Sequence, residues 1–547
     1  MKRIVEILAV AAVVLSLSSC GKSRAEQMAM AENVQIVCNP EQLALVGEQI
    51  PVEITTTYPK GYFNPKATMV VTPVLVYEGG QQQAASYTYQ GDKVKDNNKV
   101  ASSKGATLKE KFNFTYAPGM EASYLELRSV VFYGKKRIEV PAVKVAEGLN
   151  TTCKLADVNG AYQYKEDAYQ DVIASQVEGR ILYDVNSASV KNSELKSSSI
   201  KDMQESLAEA SADERYTVKG TSVIAYASPE GGQNLNAKLS DNRAKTAEKA
   251  WNKISKGLAA DEVKVESMGQ DWEGFQEAIN NSDIQDKELI LRVLSMYSDP
   301  EVREREIRNM SQIYTEINKT VFPELRRARF VTDLEYQNWT AEELETLSKS
   351  ALGLLDEESI LRVASNTEDL DRKAALYQYA AEKFDSDRSR FNLAAMALDE
   401  QKSAVAEVYL DKVKNADAEV ANAKGVAALQ RGDLEKAASF FKQSASEQAT
   451  ENLAAIDILN GDYSSAAKAL AGKEGVNAAL AQILNGDLSA AEKALTGDDA
   501  KSDYLRAIIA ARRGDKSGVE SYLESAGQKC SCLKERAAKD IEFAQFR

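Results

Sequence analysis

The chain has no histidine among its 547 residues, and this absence narrows its chemistry. Without imidazole, neither a Ser-His-Asp nor a Cys-His nucleophilic centre can be built, and most zinc sites lose their usual ligand. Cys530 and Cys532 are too isolated in the sequence to form a metal site, and no motif indicates a cofactor. Glu178 and Asp184 fall on a predicted strand, but nothing marks them as a catalytic pair. We therefore expect a protein without enzymatic activity.

Long runs of basic residues are also missing. The chain carries 68 Lys and Arg residues against 82 Asp and Glu residues, for a net charge of −14. Nucleic-acid binding requires clustered positive charge, so this composition argues against a nucleic-acid partner. The acidic excess is spread along the chain, which is typical of a soluble surface.

Proline is scarce and unevenly placed. Seven of the ten prolines lie between residues 33 and 150, and none follows Pro323. Because proline removes a backbone donor and breaks helix interiors, this distribution favours strands and turns early in the chain and helices late in it.

The first residues have the pattern of a secretion signal. Lys2 and Arg3 precede an apolar stretch, residues 4–17, that is shorter than the ~20 residues needed to span a bilayer. We predict a signal peptide over residues 1–19.

This stretch ends in Leu17-Ser18-Ser19-Cys20, which resembles a bacterial lipobox. The resemblance implies that Cys20 becomes the acylated first residue of the mature protein, carrying palmitate or related chains, and that residues 20–32 form a lipidated tether. The alternative is an ordinary signal peptide with a chance cysteine. Acyl chains contribute ~0.8 kcal/mol per buried methylene, so two or three of them anchor a protein stably.

Lys22 and Arg24 make the residues after Cys20 basic. Lipoproteins of Bacteroidota-type bacteria that are exported to the cell surface usually carry an acidic run here. The resemblance to that lipoprotein class therefore implies the periplasmic face of the outer membrane.

Residues 33–153 are predicted to form an all-β, immunoglobulin-like sandwich. Short runs rich in β-branched and aromatic residues, such as 52–55, 68–77 and 111–116, are separated by Gly and Pro turns. Cys38 and Cys153 bracket this region, and an oxidising compartment would allow them to join its first strand to its exit. Cys530 and Cys532 have two open interpretations, a disulfide or two free thiols.

Residues 154–336 alternate strands and helices, which predicts an α/β sandwich with one sheet and helices on one side. A helical insertion is expected at about 270–323, before the last strand. The second helix of this domain places Ala244, Ala247, Trp251 and Ile254 at helical spacing on one apolar face.

A motif of this region, TSVIAYASPEGGQNLNAKLSDNRA from Thr221 to Ala244, resembles the peptidoglycan-binding core of OmpA-like domains. In that family a loop carboxylate and a helix arginine hold the two ends of the diaminopimelate in the stem peptide. The resemblance implies that Arg243 is the arginine, with Asn236 in its flanking motif and Arg326 and Arg327 as a late arginine pair.

Ser228 departs from the family, because it stands where the ligand-binding aspartate is expected, fifteen residues before Arg243. Glu230 lies in the same turn and is the candidate replacement for that carboxylate. The predicted peptidoglycan-binding residues are thus Arg243, Ser228, Glu230 and Asn236. The competing interpretation of Arg243 is a surface arginine that is paired with Asp241 or Glu230.

Residues 337–547 are rich in alanine and have helical periodicity. A Gly-Asp pair recurs at intervals of 29, 25 and 28 residues, and a small residue lies five positions after each glycine. The pattern is clearest over residues 425–441 and resembles tetratricopeptide repeats (TPRs), which implies an all-α solenoid of roughly five hairpins. A plain helical bundle is the alternative.

These expectations describe a non-enzymatic envelope lipoprotein. Acyl chains would hold it in the outer membrane, the OmpA-like domain would contact the peptidoglycan stem peptide, and the concave face of the repeats would bind a protein partner. The alternative is an assembly or secretion-machinery lipoprotein whose OmpA-like domain has lost peptidoglycan binding and which acts by protein–protein contact only.

Overall fold

A computed structural model describes Met28 and residues 33–255 and 263–547. The predicted signal peptide, Cys20 and, apart from Met28, the tether lie outside the described residues. The chain forms two compact units. One combines the residues up to Lys165 with Tyr377–Arg547, and the other is Glu166–Leu376. Among the described residues, no helix is both long enough and apolar enough to cross a membrane.

The chain begins with a region rich in β-sheet. Its strands are β1 (Gln35–Asn39), β2 (Leu43–Ala44), β3 (Gln49–Tyr58), β4 (Thr68–Tyr77), β5 (Gly80–Gln83), β6 (Tyr87–Gln90), β7 (Lys99–Val100), β8 (Ala106–Thr115), β9 (Tyr124–Tyr133), β10 (Lys136–Glu147) and β11 (Leu149–Asn150). One sheet has the order β1-β3-β8. A second has the order β10-β9-β4-β6-β7, with β5 on β4, and β11 pairs with β2.

Alternation along the strands explains why these sheets pack face to face. In β3, Ile50, Val52 and Ile54 are buried while the residues between them are more exposed, as expected for period-two side chains. They share one core with Met69 of β4 and Leu125 of β9, which belong to the other sheet. The two sheets thus pack as two layers, and the prediction that this region is rich in β-sheet is confirmed.

The cysteines of this region do not pair as expected. Cys38 and Cys153 are both buried free thiols, and burial raises the pKa of each to about 11. Cys153 instead points its Sγ at the carbonyl of Leu45, 3.6 Å away. Cys530 and Cys532 form a disulfide, the first of the two interpretations left open for them.

The unit Glu166–Leu376 is built on a mixed sheet. Its strands are β12 (Val172–Leu182), β13 (Tyr216–Ala227), β14 (Val263–Gln270) and β15 (Arg327–Gln337). Their order is β12-β15-β13-β14. In this sheet β13 and β14 pair in parallel, and β15 pairs antiparallel with both β12 and β13. Helices α1 (Ser198–Ala212) and α2 (Gln233–Ile254) pack on it. Trp251 of α2 is buried and stacks on Phe330 of β15, so the predicted apolar face of α2 is confirmed as core.

Further helices lie between β14 and β15, where an insertion was predicted. They are α3 (Trp272–Asn280), α4 (Lys287–Met296), α5 (Pro300–Asn309), α6 (Ser311–Thr320) and α7 (Phe322–Leu325). These helices have an apolar cluster of their own, which includes Phe275, Ile290 and Phe322. The insertion is therefore a small packed layer.

The rest of the chain is helical. After α8 (Ala341–Ser350), α9 (Glu357–Ser365) and α10 (Leu370–Lys383), the helices pair as α11 (Asp387–Asp399) with α12 (Ser403–Leu410), α13 (Ala418–Gln430) with α14 (Leu434–Ser444), α15 (Glu447–Leu459) with α16 (Tyr463–Ala469), α17 (Val476–Asn485) with α18 (Leu488–Ala494), and α19 (Ala500–Arg513) with α20 (Lys516–Lys529). α21 (Ser531–Ala537) and a 3₁₀ turn (Ile541–Phe546) close the chain.

The recurring Gly-Asp pairs lie at the hairpin turns. Gly432 has φ +80° and ends the helical path of α13, and the Asp433 side chain then accepts a hydrogen bond from the Lys436 amide at the start of α14. The same geometry recurs at Gly461-Asp462, Gly486-Asp487 and Gly514-Asp515. Repeated hairpins of TPR-like form follow from this local rule.

The β region and the last hairpins share one hydrophobic core rather than standing as separate domains. The amide of Gly47 donates to the carbonyl of Leu459 at 2.7 Å, and Arg536 donates to the carbonyl of Thr151 at 2.8 Å. The division of the chain therefore differs from the expected boundaries at 33–153, 154–336 and 337–547. Sequence-local patterns could not show this long-range packing.

Candidate functional site

The predicted peptidoglycan-binding residues surround the turn between β13 and α2. β13 ends at Ala227, and Gly231, at φ +94°, turns the chain into α2. The Asn236 amide donates to the carbonyls of Ser228 at 3.2 Å, Glu230 at 2.9 Å and Gly231 at 3.2 Å. Asn236 thus holds the turn in place.

Arg243 is fully buried, with no exposed surface. Its guanidinium donates to three main-chain carbonyls: Ser187 at 2.9 Å, Tyr226 at 2.9 Å and Asp184 at 3.1 Å. It also lies 5.0 Å from the centre of the Tyr183 ring. Burial lowers the pKa of Arg243 to about 10. Within the described part of the chain, no carboxylate forms an ion pair with it.

Glu230 is engaged by a different arginine. Its Oε1 accepts from Arg326 Nε at 3.0 Å and from Nη2 at 2.8 Å, while the other carboxylate oxygen is buried without a hydrogen-bond partner among the described residues. Ser228 is 5% exposed and brings no charge to the turn. The pairing of Arg243 with Asp241 or Glu230 does not occur either.

The second arginine of the predicted pair is also occupied. Arg327 Nε donates to Asp271 Oδ2 at 2.9 Å, and this carboxylate, 3% exposed, caps α3 by accepting from the Gly274 amide. Burial raises the pKa of Asp271, and the charge of Arg327 opposes that change. The guanidinium groups of Arg243, Arg326 and Arg327 are therefore all engaged by carbonyls or carboxylates of the protein itself.

A narrow crevice lies beside this turn, and it is too narrow to hold a water molecule. It is lined by Pro229, Trp272, Phe275, Glu304, Ile307, Tyr314 and Phe322. Neither Arg243 nor Ser228 lines it. The structure brings the predicted residues together around one turn, and none of them lines this crevice.

A second set of polar residues recurs along the repeats. Asn392, Asn422, Asn452 and Asn477 each lie on the first helix of a hairpin, and the first three follow one another at 30-residue intervals. Each is bonded to the main chain of residues 157–165, which run extended along these helices. We call these four residues the asparagine ladder.

The sequence interpretation missed the ladder, although it held a usable signal. Asn422 and Asn452 are separated by 30 positions in the sequence and are 3% and 4% exposed, respectively. A buried amide needs hydrogen-bond partners, so asparagine recurring at the repeat period on a buried helix face predicts a bonded ligand or segment.

No family model matches the chain, and no curated protein matches it. Among solved structures, the chain is similar to a tetratricopeptide repeat protein from Parabacteroides merdae, with 13% identity, 37% of this chain and 90% of that chain covered, and a TM-score of 0.30. It is also similar to the APC/C hetero-tetramer Cut9–Hcn1, with 12% identity, 56% and 77% covered, and a TM-score of 0.32. It is also similar to yeast Tom70, with 12% identity, 63% of this chain and 78% of that chain covered, and a TM-score of 0.26. At such TM-scores these similarities carry no argument about function.

Proposed function

We propose that this protein is a non-enzymatic scaffold of the cell envelope that acts by protein–protein contact through its helical repeats. The observation that carries the proposal is the asparagine ladder, since it binds the main chain of an extended polypeptide segment. The α/β domain is proposed to serve as a structural module without peptidoglycan binding.

The surroundings of Arg243 support this second point. To grip a ligand carboxylate, its guanidinium would have to leave the carbonyls of Ser187, Tyr226 and Asp184. Each buried acceptor left unpaired costs about 1–3 kcal/mol, which offsets the gain of about 1.5–3 kcal/mol from a charge-assisted hydrogen bond. Glu230, the candidate anchor for the ligand ammonium, is already paired with Arg326.

Co-sedimentation with purified sacculi tests the α/β domain. We expect the mature protein to stay in the supernatant, with or without free diaminopimelate. Pelleting that diaminopimelate reverses, and that Glu230→Gln weakens, would restore peptidoglycan binding as the function. Glu324→Gln is the matched control, because Glu324 pairs with Arg180 on the surface rather than with the turn.

The anchor and the location are proposed from the lipobox alone: lipidation at Cys20, in the outer membrane, on the periplasmic face. Metabolic labelling with palmitate should mark the parent protein and not Cys20→Ser, which should move to the soluble fraction. Cys38→Ser changes a buried thiol of the β region and serves as the control. Equal labelling of all three proteins would exclude this anchor.

The protein partner can be tested in cells by photo-crosslinking. Val408 on α12 is 55% exposed, so a photoreactive residue there reports on what approaches the repeats. We expect a defined adduct with a second polypeptide. The same probe at Leu235 of α2, which is 58% exposed, is the control for the other unit. The absence of any adduct at Val408 would count against the scaffold.

A further inference from the structure

Residues 157–165 have no regular secondary structure, yet they are held along their whole length by the repeats. They follow Leu155 and Ala156, which are buried in the shared core. None of the nine residues is itself buried. A segment that is well bonded and yet open to solvent has the features of a docked ligand rather than of a core element.

We propose that residues 157–165 are a built-in ligand of the repeats, which keeps a peptide-binding face occupied until a partner peptide displaces them. The inference deepens the scaffold function and rests on it for the existence of a partner. The partner it predicts is an extended polypeptide that presents the same chemistry as this segment.

The asparagine ladder binds the main chain of residues 157–165. Asn477 accepts from the Asp157 amide at 2.7 Å and donates to the Asp157 carbonyl at 2.8 Å. Asn392 likewise accepts from the Lys165 amide at 2.8 Å and donates to the Lys165 carbonyl at 2.9 Å. On the side of the segment these bonds use only main-chain groups. An extended peptide of another sequence can therefore form them too.

The middle rung is shared by two asparagines. The Ala161 amide donates to Asn452 at 2.6 Å, and its carbonyl accepts from Asn422 at 2.8 Å and from Asn452 at 2.9 Å. Asn452 also donates to Asn422 at 3.0 Å. The rungs thus fall at every fourth residue of the segment, which fixes its register along the face.

Side chains of the segment add selectivity. The hydroxyls of Tyr162 and Tyr164 both donate to the carboxylate of Asp399. The Lys165 ammonium pairs with Asp417 and with Glu419, the latter at 2.5 Å. An occupant with two aromatic hydroxyls followed by a cation therefore matches this end of the face.

Gly160 sets a further requirement. It has φ +84°, and a Cβ built there would come within 2.7 Å of the methyl carbons of Val426. Only glycine fits this point of closest approach. The predicted occupant therefore has glycine two residues before its first aromatic hydroxyl.

Open space beside the segment allows exchange. Two cavities, of about 410 Å³ and 260 Å³, adjoin it, and both include Asn159, Gly160 and Ala161 in their walls. Since the segment is tethered, its effective concentration is on the order of millimolar or higher, so a free peptide competes poorly while it is in place.

A variant with an open face tests the proposal directly. In the mature chain, residues 157–165 are replaced by Gly and Ser, with proline at positions 157, 161 and 165, because a plain Gly-Ser segment would still donate its amides to the ladder and proline has no amide hydrogen to donate. Circular dichroism verifies the helix content of this variant. The probe is a fluorescent synthetic peptide of residues 156–166. We expect the peptide to bind the open-face variant and to bind the parent at least ~tenfold more weakly, because the parent's own segment competes.

Ladder variants in the open-face background separate specific docking from non-specific contact. Asn422→Ala combined with Asn452→Ala should weaken peptide binding at least ~tenfold, since the loss of hydrogen bonds worth ~1.4 kcal/mol is a factor of ten. Asn485→Ala, at the exposed end of α17, should leave it unchanged. A folded open-face variant that fails to bind the peptide, or a parent that binds it equally well, overturns the proposal.

Hydrogen exchange in the full chain covers the case in which the open-face variant does not fold. Asn452→Ala should speed exchange of the Ala161 amide at least ~tenfold relative to Asn485→Ala, because a weakly held segment opens more often. Unchanged exchange would overturn the proposal. Peptide binding to the open face without any crosslinked partner in cells would instead remove the scaffold function and leave the built-in ligand intact.

Discussion

At the scale of single residues, Arg243 is the side chain whose environment decides most about function. A buried guanidinium is tolerated only when its donors are satisfied, and here main-chain carbonyls satisfy them in the place of a carboxylate. The same three bonds hold the segment after β12 and the end of β13 against α2. Arg243 is thus a structural residue of the α/β domain in this conformation.

We predict that Arg243→Ala lowers the free energy of unfolding of this unit by about 3 kcal/mol, because it removes charge-assisted hydrogen bonds and opens a cavity. Tryptophan fluorescence during urea unfolding is the measurement. It reports this unit alone, since the three tryptophans, Trp251, Trp272 and Trp339, all lie between residues 166 and 376.

Arg180→Ala is the matched control for that experiment. The Arg180 side chain is 45% exposed and pairs with Glu324 on the surface, so we expect a change below about 1 kcal/mol. If Arg243→Ala unfolded at the same urea concentration as Arg180→Ala, the bonds from Arg243 to the three carbonyls would not contribute to the stability of this unit.

At the scale of elements, the helical hairpins depend on small residues where two helices approach. Gly425 of α13 faces the ring of Phe441 on α14, and a Cβ added at Gly425 would overlap the ring carbons. Ala437 of α14 and Ala454 of α15 are likewise buried at positions of close approach. The periodic small residues in the sequence therefore report helix spacing rather than a binding site.

Gly425→Ala should destabilise the unit that contains the repeats by about 1–3 kcal/mol, because overpacking against Phe441 outweighs the gain in helix propensity of up to ~1 kcal/mol. Gly527→Ala on α20 should cost less than Gly425→Ala, since its Cβ would lie 3.3 Å from the Lys534 Cβ, against 2.4 Å from the Phe441 ring at Gly425. Urea midpoints followed by circular dichroism check both. Equal effects at the two glycines would contradict this account of the hairpin.

At the scale of the whole molecule, one carboxylate ties the β region to the end of the helical region. Glu542 accepts from Asn150 at 2.9 Å and from Thr152 at 3.1 Å, and it pairs with Arg512 of α19. Burial by itself would raise the pKa of Glu542, but the Arg512 contact and the two hydrogen bonds lower it below its ordinary value. The ionised form is therefore the one that the folded unit favours.

A lowered pKa in the folded state means that stability is present above the ordinary value of 4.5 and is lost as the pH falls through the folded-state pKa. We expect Glu542→Gln to destabilise the unit at pH 7 and to flatten its loss of stability below pH 4.5. Urea midpoints by circular dichroism between pH 7 and pH 3 measure this.

Glu78→Gln is the control for the pH series, because Glu78 pairs with Lys539 at an exposed site where solvent screens the pair, and it should change the acid limb much less than Glu542→Gln. If the urea midpoint of Glu542→Gln fell with pH in parallel with that of the parent, the Glu542 carboxylate would not be stabilising the contact between the β region and the end of the helical region.

Much of the architecture could be predicted from local patterns. Runs rich in β-branched and aromatic residues predicted strands at 52–55 and 68–77, which lie in β3 and β4. Helical spacing predicted the apolar face of α2 around Trp251. The site was harder to predict. The motif located Ser228, Glu230, Asn236 and Arg243 at one turn, but the family resemblance could not show whether the arginine faces a ligand or the chain's own carbonyls.

Sequence alone determined the local rules of this protein: strand alternation, the Gly-Asp turns and the absence of histidine chemistry. Only the tertiary structure decided that the β region joins the last hairpins in one core, that Arg243 is enclosed, and that residues 157–165 fill the asparagine ladder. The physical reason is sequence separation. Helix and strand periodicities act over a few residues, whereas Ala161 meets Asn452 across 291 residues, and nothing in the segment's own sequence specifies that partner.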